Sequence, residues 1–239
     1  MSSIVSRSDS DESIDDRTTR ARIRDAAIEC IAEHGVASTT ARKVADSAGV
    51  SPGLVIHHFG SMEGLRTACD DHVATVIRRY KQEAMSSGPN LDVLAALRNP
   101  AMGPLMGYLA SVVASDSERV ADLVDALVDD AEAYIQQGVE SGMLQPSADP
   151  RGRAVVLTIW NLGAVALHHH LKRLLGVDLT DTDVLTDPTF AAYAGPIYET
   201  YGKGFFTDAF AAQTREALSG MARKHRHTES QELDTEGTS

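Results

Sequence analysis

Gly35, Gly49 and Gly60 punctuate residues 17–61 and divide them into helices with short links. A helical stripe runs through Ile23, Ala27, Cys30, Ile31 and His34 from a start near Arg17. It meets Gly35 just past its last turn, where glycine suits a helix C-terminus. A second, short helix begins after Ser38–Thr39, whose hydroxyls are available to cap it, and runs to about Ala48 before Gly49 stops it. A third starts with Ser51 as N-cap and Pro52 at the first helical position, where a missing N–H costs nothing, and ends near Gly60. Ala48-Gly49-Val50-Ser51 is then a tight turn between two short helices, with Val50 placed to pack into both. That is the pattern of a helix-turn-helix, whose second helix enters a DNA major groove with its N-terminal residues at the base edges.

The remainder also reads as helix. Ser61 caps a long helix carrying Leu65, Cys69, Val73, Val76, Ile77, Tyr80 and Ala84, which SSGPN (86–90) breaks. Further helices are expected at about 91–98, 101–115, 117–141, 151–175 (capped by Asp149), 187–202 and 205–224, with a loop at GVDLTDTDVLTDP. No alternating β-branched segment competes with them, so the fold class is all-α. The organisation expected is a disordered tail 1–16, a helix-turn-helix domain 17–64, a larger helical domain 65–224 and a disordered tail 225–239.

The net charge of −12 argues against nucleic acid until its distribution is read. Residues 1–16 carry −4, residues 17–81 carry +3 and residues 82–239 carry −11. Positive charge is concentrated in the segment that holds the short helices, and a phosphate backbone feels that local field. The acidic residues Asp122, Asp125, Asp129 and Glu132 fall opposite the apolar face of their helix and read as a solvated stripe.

The first residues do not have the basic-then-apolar order of a secretory leader, and the most apolar run, 154–167, is too short to span a bilayer. A cytoplasmic protein without a membrane role is expected. Cys30 and Cys69 are expected to be free, half-buried thiols.

The stretch TTARKVADSAGVSPGLVIHHFGSMEGL (39–65) resembles the DNA-binding signature of the TetR family of bacterial repressors. The resemblance covers about residues 17–66, and its VIHHFGS variant is similar to an actinobacterial subgroup often associated with ABC-type drug exporters. It implies a three-helix DNA-binding domain followed by a helical ligand-binding and dimerisation domain. The implied protein is no enzyme and needs no cofactor. It is a homodimer on near-palindromic double-stranded operator DNA, released by a small, largely apolar effector.

Arg42 is a candidate guanine reader, since arginine is the commonest side chain in that role. Thr39, Thr40 and Ser51 are candidate phosphate contacts, and Thr39 has capping as its alternative. Lys43 is placed at the backbone, and the N–H groups at Ser61–Met62 offer a phosphate site at a helix N-terminus. Pro52, Gly53 and Leu54 begin the reading helix, where Pro52 and Leu54 can make only apolar contacts such as those to thymine methyls. His57 and His58 point about 100° apart on a helix and cannot chelate one metal together. The family pattern turns His57 to DNA, and His58 to the backbone or into the bundle. The family usually has a tyrosine where Ile56 stands and a lysine where Met62 stands. Their absence leaves either compensation by Arg17, Arg20, Arg22 and Arg24, or a dimeric helical adaptor with weakened DNA binding as the alternative. Met102, Met106, Tyr108, Tyr134, Trp160 and Asn161 are candidate pocket-lining residues. His168, His169 and His170 wrap around their helix and do not converge on a metal; together with the apolar run before them they read as an interface.

Overall fold

A computed structural model of the chain describes residues 5–88, 102–114, 117–181, 183–184 and 187–203, with side chains described from Asp16 onward. Among these residues every regular element is a helix: α1 Val5–His34, α2 Ala41–Ala48, α3 Pro52–Phe59, α4 Met62–Ser86, α5 Met102–Val112, α6 Glu118–Glu140, α7 Pro150–Ala166, α8 His168–Leu175 and α9 Phe190–Lys203. The helices read at 91–98 and 205–224 and the tail at 225–239 lie outside the described residues.

The caps follow the residue chemistry. The hydroxyls of Ser51, Ser61 and Ser117 and the carboxylate of Asp149 each accept a backbone N–H three residues on, a contribution of about 1 kcal/mol per helix. Thr40, rather than Ser38 or Thr39, caps α2; the Thr39 hydroxyl instead donates to the Gly35 carbonyl at 2.9 Å and closes the turn before it. Gly49 takes φ +66°, the left-handed value that lets α2 stop and α3 leave at an angle.

Two boundaries differ from those read in the sequence. α1 starts at Val5, so the segment expected to be a disordered tail is helical from there on. No proline or glycine precedes Gly35, and a helix nucleated by the packed 17–34 stretch extends at one hydrogen bond per residue added. The single helix expected at 151–175 is two, α7 and α8, bent by 71° at Leu167. The cause lies in the following loop. Asp178 accepts the Thr180 N–H (3.1 Å) and hydroxyl (2.6 Å), takes Lys172 Nζ at 3.1 Å and lies 3.3 Å from His168 Nδ1. Val177 and Leu179 beside it are buried, so the loop anchors the first turn of α8 to itself. Burial alone would raise the Asp178 pKa, but these hydrogen bonds outweigh it and hold the carboxyl well below the usual range.

The chain divides into two compact units, one running to Phe190 and one beginning at Ala191. In the first, α1 packs on α2, α4 and α5, while α6 packs on both α4 and α7. The helix-turn-helix and α4 to α8 therefore share one packed body. Its core near the head is Ile23, Ile31, Val44, Val55, Leu65, Cys69 and Val73, all essentially without solvent contact; the larger of these stabilise by about 1.5–3 kcal/mol each. α1 and α5 approach closely at Gly107, where a Cβ would stand 2.9 Å from that of Ala32. Both cysteines are buried rather than half-buried. Burial pushes the Cys69 thiol up to about 12, so it stays protonated and unreactive. In the second unit α9 exposes Tyr198 and Tyr201. Among the described residues no single helix is long and apolar enough to cross a membrane.

Candidate nucleic-acid interface

α2 and α3 form the helix-turn-helix. α2 is amphipathic: Val44, Ala45 and Ala48 face the core, while Thr40, Arg42 and Lys43 are exposed at its N-terminal end. The Thr40 hydroxyl accepts the Lys43 N–H at 3.3 Å, which leaves its own O–H free to donate outward. α3 inserts Val55 fully into the core and exposes Ser51, Pro52, Gly53, Ile56 and His57. Leu54 is half-buried, and Met62, at the first position of α4, is half-buried beside exposed Ser61.

The two histidines part company. His57 is exposed, whereas the His58 side chain is 5% exposed and its Nδ1 lies 3.5 Å from the Asp16 carboxylate. The structure thus turns His58 into the bundle, of the two placements open to it. Of the arginines named as compensating contacts, Arg24 pairs with its neighbour Asp25 at 2.6 Å, and Arg20 stacks 4.8 Å over the Phe59 ring, which ties α1 to α3. Arg17, Arg20 and Arg22 are exposed. Gly64 closes the α3–α4 corner: a Cβ there would fall 2.2 Å from the Phe59 carbonyl oxygen, so no larger residue fits. Asp16 and Gly64 escaped the sequence reading. A glycine inside the first turn of a helix, where alanine is preferred, is the signal that points to Gly64.

A second cluster joins this head to the helices behind it, and sequence reasoning missed most of it. Asp70 on α4 is buried and accepts the Tyr108 hydroxyl of α5 at 2.6 Å. Its other carboxylate oxygen makes no hydrogen bond and lies 3.8 Å from Arg119 of α6. Arg119 in turn pairs with Glu63 and donates to the Thr67 hydroxyl at 2.8 Å. Burial raises the Asp70 pKa, opposed by the Tyr108 hydrogen bond. Three helices thus meet at one buried carboxylate, within two turns of the α3–α4 corner. The sequence gives Asp70 away only by its place next to Cys69, on the edge of an otherwise apolar stripe.

The candidate pocket residues are not brought together. Met102 and Tyr108 are buried and Met106 and Tyr134 half-buried, but Trp160 is 61% exposed and Asn161 is exposed, its amide donating to the Leu157 carbonyl at 2.7 Å. α7 turns Ala154, Thr158 and Val165 inward, and the helical repeat carries Trp160 to the opposite side. Val155, Val156, Ile159, Leu167, Leu174 and Leu175 are exposed with it. Of the histidine run, His168 faces Asp178 and the His169 ring lies 3.9 Å from that of His168. On α6 Asp122, Asp125 and Asp129 of the acidic stripe are exposed and Glu132 is half-buried, and Arg151 of α7 bridges Asp129 (2.6 Å) and Glu132 (3.3 Å).

The chain matches two family profiles: "Bacterial regulatory proteins, tetR family" over residues 23–69 and "Tetracyclin repressor-like, C-terminal domain" over residues 101–207. It is 45% identical over 210 residues to the HTH-type transcriptional regulatory protein RaaS of Mycobacterium tuberculosis, covering 87% of this chain and 97% of that protein. The HTH-type transcriptional repressor Rv3405c of the same species is 34% identical over 111 residues, 45% of this chain and 57% of the relative. Among solved structures, a Rhodococcus sp. protein described as a TetR-family transcriptional regulator shares the fold, with a TM-score of 0.52 at 22% identity over 74% of this chain and 97% of that one. The first match alone spans almost the whole of a curated regulator, and the chain belongs to the TetR family of DNA-binding transcriptional regulators.

Proposed function

We propose that the protein is a ligand-responsive repressor that binds a near-palindromic operator as a dimer and releases it when a small, largely apolar effector binds. The observation that carries this is α4. One helix begins with the exposed Ser61 beside the reading helix and continues to the buried Asp70 contact with α5 and α6. A ligand that shifts α5 or α6 has a direct mechanical route to the head, which is what a coupling between two sites requires. Of the residues named for the effector pocket, Met102, Met106, Tyr108 and Tyr134 stay with this reading, because they are buried or half-buried in the helices behind the head. An exporter of such compounds is the gene class that the subgroup resemblance adds.

DNA contact is assigned to Thr40, Arg42, Lys43, Ser51, Pro52, Gly53, Ile56, His57, Ser61 and the N–H of Met62, with Thr39 and His58 as structural supports. Dimerisation is assigned to the outward apolar side of α7 and α8. Gly163 supports this, since among the described residues nothing outside its own helix turn stands within 4 Å of a Cβ placed there, which leaves room for a second helix to come close. A dimer spaces two heads for successive major grooves about 34 Å apart.

The test is selection from random-sequence DNA, repeated across salt concentrations. An enriched inverted repeat whose affinity falls steeply with salt is the expected result. No enrichment, with weak binding even at low salt, would defeat the repressor reading and favour the adaptor.

A further inference from the structure

We infer that α3 reads thymine methyl groups in each operator half-site, with Ile56 as the methyl-reading side chain and Gly53 as the point of closest approach. This rests on the operator-binding reading above and gives it a substrate chemistry.

The outward face of α3 is built from residues four apart, Pro52 with Ile56 and Gly53 with His57, all of them exposed. His57 is the one hydrogen-bonding side chain on that face. α3 contains no arginine, lysine, asparagine or glutamine, the side chains that read donor and acceptor patterns on guanine and adenine. What the major groove offers an apolar side chain is the C5-methyl group of thymine.

Ile56 is 39% exposed, and among the described residues before Val155 it is the one large apolar side chain left so open. Its neighbour Val55 fills the core, so the outward position of Ile56 follows from the helix register. It therefore gains a dry partner only from outside the chain.

Gly53 is a separate observation. Its φ is not positive, and among the described residues a Cβ added to it would meet nothing nearer than Ser51 Oγ at 3.9 Å. Neither the backbone nor the packing of the described residues calls for a glycine, and glycine weakens a helix relative to alanine. The space it leaves open faces outward, on the side where a base edge or sugar comes up to α3.

The test uses the full chain and the inverted repeat recovered by selection. Each thymine is replaced in turn by deoxyuridine, which removes only the methyl group. One or two thymines per half-site should weaken binding about fourfold when replaced. Ile56→Ala should cost a similar factor on the thymine duplex and no longer distinguish uracil from thymine at one of these positions. Gly53→Ala should raise Tm by about 1–3 °C and weaken the repeat's binding by about tenfold. If all uracil duplexes bind as tightly as the parent, or if Ile56→Ala keeps full sensitivity to uracil, methyl readout by Ile56 is overturned while operator binding stands. Gly53→Ala with unchanged affinity would overturn the close approach. If no repeat is enriched, the operator reading fails first and this inference with it.

Discussion

α3 and α7 both turn apolar side chains outward, and they do so in different company. On α3 one isoleucine is exposed with Ser51 and His57, and the preceding helix α2 exposes Arg42 and Lys43. On α7 and α8 seven large apolar residues, from Val155 to Leu175, are exposed together, with Trp160 at 61%. A single apolar group in a positively charged setting suits a methyl on a charged polymer. A continuous apolar band is too large to leave in water and suits a second protein surface. The same property, exposed hydrophobicity, thus points to two different partners because of its extent and its surroundings.

The largest expected effect breaks the second half of this comparison. Trp160→Glu puts a charge in the middle of the band without touching the core residues Ala154, Thr158 and Val165. A central aromatic at an interface is worth about 2–4 kcal/mol, so the dimer dissociation constant should rise by about a hundredfold or more in sedimentation equilibrium, with the helical circular dichroism of the monomer kept. A variant that stays dimeric at the same concentration would remove the band from the interface.

The next prediction sharpens the first half, using two adjacent residues. Val55→Ala empties a fully buried site and should destabilise the protein by about 2 kcal/mol in urea. Ile56→Ala should change stability by less than about 0.5 kcal/mol. Equal losses at both would mean that Ile56 is a core residue and that α3 has no apolar reading face.

These two surfaces were unequally legible in the sequence. The boundaries of α2 and α3 are legible almost to the residue because their signals are local. Ser51 and Pro52 start α3, Gly49 ends α2, and each acts through hydrogen bonds or dihedrals within a few residues. What was missed there is long-range, such as the contact of Asp16 with His58. In the larger domain the described helices other than the bent pair are legible, but not which face turns inward. Trp160 and Asn161 looked like pocket residues by type; only the packing of α7 on α5 and α6 shows that they sit on its far side. The bend at Leu167 was invisible because its cause is Asp178, ten residues past His168.

Between the two surfaces lies the buried carboxylate of Asp70, and the smallest predicted effect concerns it. Its pKa is raised, because burial penalises the charge more than the Tyr108 hydroxyl compensates it. The folded state therefore holds a proton there more firmly than the unfolded chain does. That contribution to stability is fully present below the ordinary carboxylate pKa and is lost as pH rises through the raised folded value. Above it, one charged oxygen remains buried without a hydrogen bond. Asp70→Asn keeps an acceptor for Tyr108 and removes the charge. It should be more stable than the parent by about 1 kcal/mol near pH 8, with the difference shrinking as pH falls toward 4. Urea denaturation of both proteins across that range reads the trend. A difference that does not change with pH would mean that Asp70 carries no titration cost. An asparagine variant that is less stable throughout would mean that the attraction of Arg119, 3.8 Å away, outweighs the burial penalty. In that second case the Asp70–Arg119 pair holds α4 against α6. Loosening it should then alter operator affinity even without an effector, which ties the joint to the reading surface.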